Sequence, residues 1–168
     1  MQPFSASGSL VAAIRDPRLS RFYEYWLDRK GDRRSPERGD IDPVEFRYLL
    51  GHVMLFDLLP SPLRFRVRLH GTALTRRAHY DLTGKLLNEM PDAAHRPLVI
   101  GHAEAVAASG EPFVVRRNRM LDGQPVSYEA LWLPFSDDCS RIRMLLCGMV
   151  YGDCRNDDLQ PGRQLAGL

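Results

Sequence analysis

His102, Tyr128 and Trp132 are polar rings set among apolar positions in the second half of the chain. An imidazole, a phenol hydroxyl and an indole N–H each make a directed hydrogen bond while the ring packs against apolar neighbours, so together they could orient a small molecule. They do not form a set for breaking bonds. The carboxylates near predicted strands are Asp57, Glu129, Asp137 and Asp138; the first two fall on the strand phase opposite the rings, and Asp137-Asp138 reads as a turn. No Ser-His-Asp arrangement, phosphate-cradling loop or metal-ligand cluster is visible. Cys139, Cys147 and Cys154 have neither the CxxC spacing nor the neighbouring histidines of a zinc site, and an odd number fits a reducing compartment. These residues point to a non-enzyme. The competing class is a small α+β cavity enzyme acting on a hydrophobic metabolite; it needs a buried carboxylate or histidine pair where the sequence offers only His102.

The elements that must position these rings begin with a hairpin inside the stretch His52 to Gly84. Phe65, Val67 and Leu69 alternate with Arg64, Arg66 and Arg68, a period of two that predicts a half-buried strand. Val53-Met54-Leu55-Phe56 has no alternation and should be covered on both faces. The two strands join at Pro60-Ser61-Pro62, since proline cannot donate to a ladder. Thr72 can cap a short helix to about Ala78, Asp81-Leu82-Thr83-Gly84 closes the next junction, and a longer helix ends near Ser109-Gly110. Three strands follow: Pro112 to Leu121, Val126 to Phe135 and Arg141 to Tyr151.

Upstream, Asp16-Pro17 and Gly31 bound a helix whose Leu19, Phe22, Tyr23, Trp26 and Leu27 recur at helical spacing. That stripe needs a cover, either this chain's own sheet or a partner, which makes Leu19, Phe22, Tyr23 and Trp26 the candidate interface. Asp42-Pro43 predicts a second short helix, ended by Gly51. The organisation expected is a flexible arm over 1–15, helix and linker over 16–39, the main domain over 40–152 and a flexible tail over 153–168.

The arginines of the second and third strands suit edge strands. Val53, Leu55, Leu131 and Leu133, with Leu145, Cys147 and Met149, give the middle strands an apolar outer face for the first helix to cover. On the inner face, Phe56, Leu58, Phe65, Val67, Leu69, Tyr128, Ala130, Trp132, Met144 and Leu146, with small Ala130 and Gly148 among them, would look at Leu74, Leu82, Leu86, Leu98, His102 and Val106. That space is either a filled core or a ligand cavity.

At 168 residues the chain holds one domain with tails; 44% hydrophobic and 26% charged residues argue against disorder. A net charge of +2 decides little, and arginines spread over both sheet edges and several loops define no nucleic-acid groove. The opening residues lack a signal peptide pattern and no window reaches a membrane span, so a cytoplasmic protein without a membrane partner is expected.

The order and spacing of FYEYWL, GDIDP, RFRVRLHGT, YDLTG and YEALWLPFSDD resemble the PAS superfamily, in particular small stand-alone bacterial PAS proteins of undefined role. The resemblance covers about residues 16 to 150 and implies an α+β domain with a five-stranded antiparallel sheet of order 2-1-5-4-3. It further implies helices on one face, the N-terminal helix on the other, and a sensory or protein-interaction role. A signal would then leave through a homodimer or an unidentified signalling protein, with a small-molecule ligand in the core. The cofactor stays unknown. Light-sensing members need a cysteine on the helices beside a flavin, and here all three lie after residue 138. Haem-binding members use a histidine on the long helix, where His95 or His102 could serve by position, but a lone histidine on a helix is more often surface or satisfied core, and no motif supports haem or flavin. The chain departs from that group at His79, two before Asp81, where glycine is common.

Overall fold

Asp16 and Pro17 start the helix that decides how the sheet is covered. In this computed structural model, which describes residues 6–137 and 141–152, the helices are α1 (Ala6–Ala13), α2 (Pro17–Lys30), α3 (Thr72–Ala78) and α4 (Arg96–Ser109). The strands are β1 (Val53–Leu59), β2 (Arg64–His70), β3 (Phe113–Leu121), β4 (Gln124–Ser136) and β5 (Ile142–Gly152). The Asp16 carboxylate accepts from the Arg18 backbone N–H at 2.8 Å, and Gly31, at φ 55°, ends α2. All five strands form one antiparallel sheet in the order β2-β1-β5-β4-β3, with β2 and β3 at the edges. Asp122 and Gly123, both at positive φ, make the two-residue turn between β3 and β4.

α2 lies on the outer face over β4 and β5. Leu19, Phe22, Tyr23 and Trp26 are buried there, each contributing about 1.5–3 kcal/mol by area, and the Trp26 Nε1–H donates to the Pro134 carbonyl at 2.8 Å. The stripe proposed as a partner interface is therefore covered by the chain's own sheet. Glycine at 148 lets the helix settle: a Cβ there would stand 2.9 Å from Leu19 Cδ2 and 3.1 Å from Phe22 Cδ1.

Residues 6–15 are not the frayed arm that their weak patterning predicts. α1 occupies Ala6–Ala13, and Ile14 is buried in the outer cluster. The buried Glu129 carboxylate accepts the Arg15 N–H (3.1 and 3.2 Å) and the Asp16 N–H (2.9 Å), while Arg116 bridges Glu129 and the Ala13 carbonyl. The anchors lie about a hundred positions away in sequence, beyond the reach of any local pattern. The expected second helix is a 3₁₀ turn over Arg47–His52 that runs past Gly51. Gly51 is a crossing point instead: a Cβ on Gly71 would stand 2.5 Å from its carbonyl oxygen. Gly71, not Thr72, is the N-cap of α3. The expected tail, Cys139, Cys154 and the turn at Asp138 lie outside the described residues.

Two irregularities set which side chains face which way. β1 and β2 shift register between Leu55 and Phe56, so Phe56 pairs with Val67, Leu55 with Leu69, and Arg68 is the extra residue. β4 and β5 shift between Phe135 and Ser136. Edge strand β2 is itself partly paired: Val67 N–H donates to the Lys85 carbonyl at 2.8 Å, and Gly84 N–H to the Val67 carbonyl at 2.7 Å.

Candidate functional site

The inner face of the sheet meets α3, α4 and the turns between them in one apolar cluster. The structure brings together Phe56, Phe65, Val67, Leu74, Leu82, His102, Val106, Tyr128, Ala130 and Trp132, with Leu58 partly buried beside them. Six expected members, Leu69, Leu86, Leu98, Met144, Leu146 and Gly148, lie elsewhere. Leu69 is 40% exposed on the outer face, because the β-bulge flips the strand after Val67 and hands the inner position to His70. Met144 and Leu146 belong to the outer cluster under α2, since Phe135 pairs with Met144 and Leu55 with Leu146. On β5 the inner residues are Leu145, Cys147 and Met149, the reverse of the expected phase, and Gly148 faces α2. Leu86 is half-buried at the β2 edge, where it bridges Arg66, and Leu87 takes the core position. Leu98 is exposed on α4, with Val99 inward.

Trp132 sits in the middle of this face. Its ring stacks on Phe56 at 5.3 Å and 22°, and the His102 ring stands edge-on at 6.4 Å. Trp132 is 1% exposed, and its Nε1–H has no hydrogen-bond partner among the described residues. His102 packs on Phe113 at 5.5 Å; burial, reinforced by Arg117, pushes its pKa down to about 4, so the imidazole is neutral near pH 7. The Cys147 thiol, paired across from Trp132, is fully buried and shifted upward by that burial.

A second polar group closes one end of the cluster, and the sequence reading missed it. Arg119 donates to Asp92 Oδ2 at 2.7 Å and to the hydroxyls of Tyr80 and Tyr151, each at 3.3 Å. Burial works against this charge, but the Tyr80, Tyr151 and Asp92 contacts outweigh it and raise the Arg119 pKa. The Asp92 carboxyl is likewise opposed by burial, yet held below its usual range by Arg119 and the His95 N–H. His95 Nε2 and the Tyr128 hydroxyl are hydrogen-bonded at 3.3 Å; burial, then Arg119, push the His95 pKa to about 4. On β2, the buried His70 Nδ1 accepts the Leu82 N–H at 3.2 Å, which seats the Asp81-Gly84 turn. The signal for Arg119 was present: on β3 it shares the phase of Val115, whereas Arg116 shares that of Glu129's partner face.

This space offers hydrogen-bond donors and neutral rings in apolar surroundings. Among the described residues, no group of three or more His, Cys, Asp or Glu side chains could hold a metal. A small concavity of about 80 Å³ opens beside the cluster between Leu63–Phe65, Leu87–Asn88 and α4 residues Ile100 and Glu104. A larger open cleft of about 770 Å³ lies away from it, between α2 and residues 44–48.

Residues 14–150 match a family model described as PAS domain. The chain belongs to the PAS domain family. Among solved structures, it is similar to VqmA bound to DPO at 16% identity and TM-score 0.49, covering 61% of this chain and 53% of that one. The chain thus spans about half of the VqmA chain it matches. It is also similar to the PAS domain of Bordetella pertussis BvgS (19% identity, TM-score 0.51, 70% of this chain and 91% of that one). A Rhodobacter sphaeroides LOV protein matches at 13% identity and TM-score 0.48, over 70% of this chain and 73% of that one. Identities this low speak to the PAS fold alone. No curated protein matches in sequence.

Within the PAS fold, His79 is the departure anticipated from sequence. It stands at φ 63°, ψ 22° as the left-handed cap of α3, a conformation costing a non-glycine residue about 1 kcal/mol. Its Nε2 is 2.8 Å from Asp122 in the β3–β4 turn.

Proposed function

We propose that this PAS domain is a non-catalytic sensory module that takes a small uncharged molecule between its inner sheet face and α4, and signals through a homodimer or a partner protein. The observation that carries this reading is the Trp132 Nε1–H, buried without a partner between Phe56 and His102. Leaving a buried donor unpaired costs about 1–3 kcal/mol, which an acceptor on a ligand would recover. Neutral His102 and the hydroxyl of Tyr128 add polar points without asking for a charged ligand. The rings that line the space make apolar or hydrogen-bonding contacts with one another, an arrangement suited to holding a molecule rather than transforming it.

Typical ligand sites occupy about 300–1,000 Å³, so the concavity of about 80 Å³ beside Phe65 and Leu87 serves as an entry that must widen. Between the start of β2 and α4, the wall there includes the short 3₁₀ segment Leu87–Glu89, the part of the lining with least regular structure to disrupt. A second reading, a filled core used for protein interaction, is favoured by the near-complete burial of Phe56, Val67, Ala130 and Trp132.

Gentle purification followed by denaturing mass spectrometry and an absorbance spectrum separates the two. The sensory reading expects a stoichiometric small molecule, lost on Trp132→Phe and on Ala130→Leu. A blank spectrum, no small molecule, and no thermal shift across a metabolite panel would leave the filled-core reading. Reproducible turnover abolished by His102→Ala would instead establish the cavity enzyme.

A further inference from the structure

The outer sheet face is covered unequally. α2 lies over β4 and β5, while on the β1–β2 side Arg64, Arg66 and Arg68 are exposed and Leu69 is 40% exposed. Register places Leu55 opposite Leu69 and Asp57 opposite Arg66 on this face, and Arg68 is held by Asp57 at 2.7 and 2.9 Å. Arginines on an edge strand ordinarily guard against strand pairing. Here that explanation is weakened, because the β2 main chain is already engaged at Val67 by Gly84 and Lys85, with Arg66 bridged to Leu86. Arg64 and Arg66 have no ion-pair partner among the described residues.

We propose that this strip is a docking surface for an acidic amphipathic helix of a partner protein. Two strands about 4.8 Å apart present a strip roughly 10 Å wide, the width of one helix. Leu55 and Leu69 would receive the partner's apolar face, and its carboxylates would pair with Arg64 and Arg66. Three arginines against the single carboxylate of Asp57 set the sign of the partner. The Leu55–Leu69 pair at one end of the arginine strip favours a protein helix over a nucleic-acid backbone, which offers no apolar face along its phosphates. Seven residues of strand at about 3.3 Å each give the strip an area of a few hundred Å², so the contact belongs with small, transient interfaces.

The test uses the full chain and a synthetic helical peptide with leucines on one face flanked by glutamates, against its glutamine counterpart and a single-stranded DNA oligonucleotide. The glutamate peptide should bind with micromolar affinity, weaken as salt is raised, and lose about tenfold or more on Arg64→Glu/Arg66→Glu. Leu69→Ser should weaken it without altering the salt dependence. Hydrogen exchange on the unmodified chain should gain protection over residues 55–69, which keeps the test independent of how the variants fold. Absence of binding, equal binding of the glutamine peptide, protection elsewhere, or a preference for the oligonucleotide would each overturn the proposal.

Discussion

Gly148→Ala tests the face assignment of β5, on which the membership of the site depends. The added Cβ would lie 2.9 Å from Leu19 Cδ2 and 3.1 Å from both Leu49 Cδ2 and Phe22 Cδ1, well inside the 3.5–4.0 Å of ordinary carbon contacts. All three neighbours are 0% exposed, so none can swing into solvent. Overpacking of this kind costs about 1–3 kcal/mol, offset by about 0.4–1 kcal/mol from the stiffer unfolded chain. A net loss of about 0.5–2 kcal/mol should lower Tm by roughly 2–8 °C in a domain of this size. Leu19→Ala alone should cost about 2–5 kcal/mol through its cavity. In the double variant the new methyl occupies space vacated by Leu19, so the two effects should fall short of additivity by about 1 kcal/mol, measured by urea unfolding. Strict additivity, or an unchanged Tm for Gly148→Ala, would refute the placement of Gly148 under α2. Loss of a bound molecule with α2 undisturbed would do the same.

Other perturbations follow from the same geometry. Gly71→Ala should exceed Gly148→Ala in cost, because its Cβ would meet the Gly51 backbone oxygen at 2.5 Å and backbone cannot rotate aside; thermal melts compare the two. Asp92→Ala should destabilise by about 2–4 kcal/mol in denaturant titrations, since it strands the Arg119 charge, whose side chain is 5% exposed, while the carboxylate's own 22% exposure tempers the loss. The histidine shifts predict a pH slope. His95 and His102 titrate near 4 when folded against about 6.5 unfolded, so protons bind the unfolded chain first. Stability should be level above about pH 6.5 and fall between there and pH 4 by up to about 1.4 kcal/mol per unit for each histidine. Downward shifts at His52 and His70 add in the same direction. His95→Gln/His102→Gln should flatten that window in urea titrations, and an undiminished slope would place its source elsewhere.

The edge strands were legible because arginines mark β2 and β3, while the full sheet order came from the resemblance to the PAS superfamily. Side-chain direction was legible only where the two faces differ in polarity. On β4, Glu129 against Tyr128 and Ala130 settles the phase. On β5, Met144 to Met149 is apolar on both faces, and the one charge in phase with Leu145, Arg143, is the extra residue at the register shift and so marks the wrong face. Leu69 failed for another reason: a strict period of two assumes one residue per partner, and the bulge at Arg68 breaks that count. Leu86 and Leu87 are chemically equal neighbours, separated only by the turn that bonds 84 and 85 to Val67. Arg119 was read with Arg116 as an edge charge, although successive strand residues face opposite ways. Arg116 bonds Glu129 on the outer face and Arg119 bonds Asp92 on the inner one.

That separation also bears on which polar group would mark a ligand site. Arg119 and Asp92 are the stronger charges, yet both are matched: Asp92 and two tyrosine hydroxyls take up the guanidinium's terminal nitrogens, and the carboxylate receives Arg119 and the His95 N–H. Such a network, in which the terminal nitrogens are paired and only the buried Arg119 Nε lacks a partner among the described residues, ties elements together, here β3, β5, the Tyr80 turn and the loop leading into α4. Any molecule displacing it would have to replace an ion pair removed from water. Trp132 differs on each point. It is neutral, central and flanked by rings rather than charges, and its one polar atom is unmatched. Phenylalanine would keep a ring on Phe56 without a donor to satisfy, but at this fully buried position it would leave a cavity with its own cost. On the proposed sensory reading, an acceptor on the ligand would pair the indole N–H, and the neutral state of His102 beside it makes an uncharged acceptor the matching chemistry.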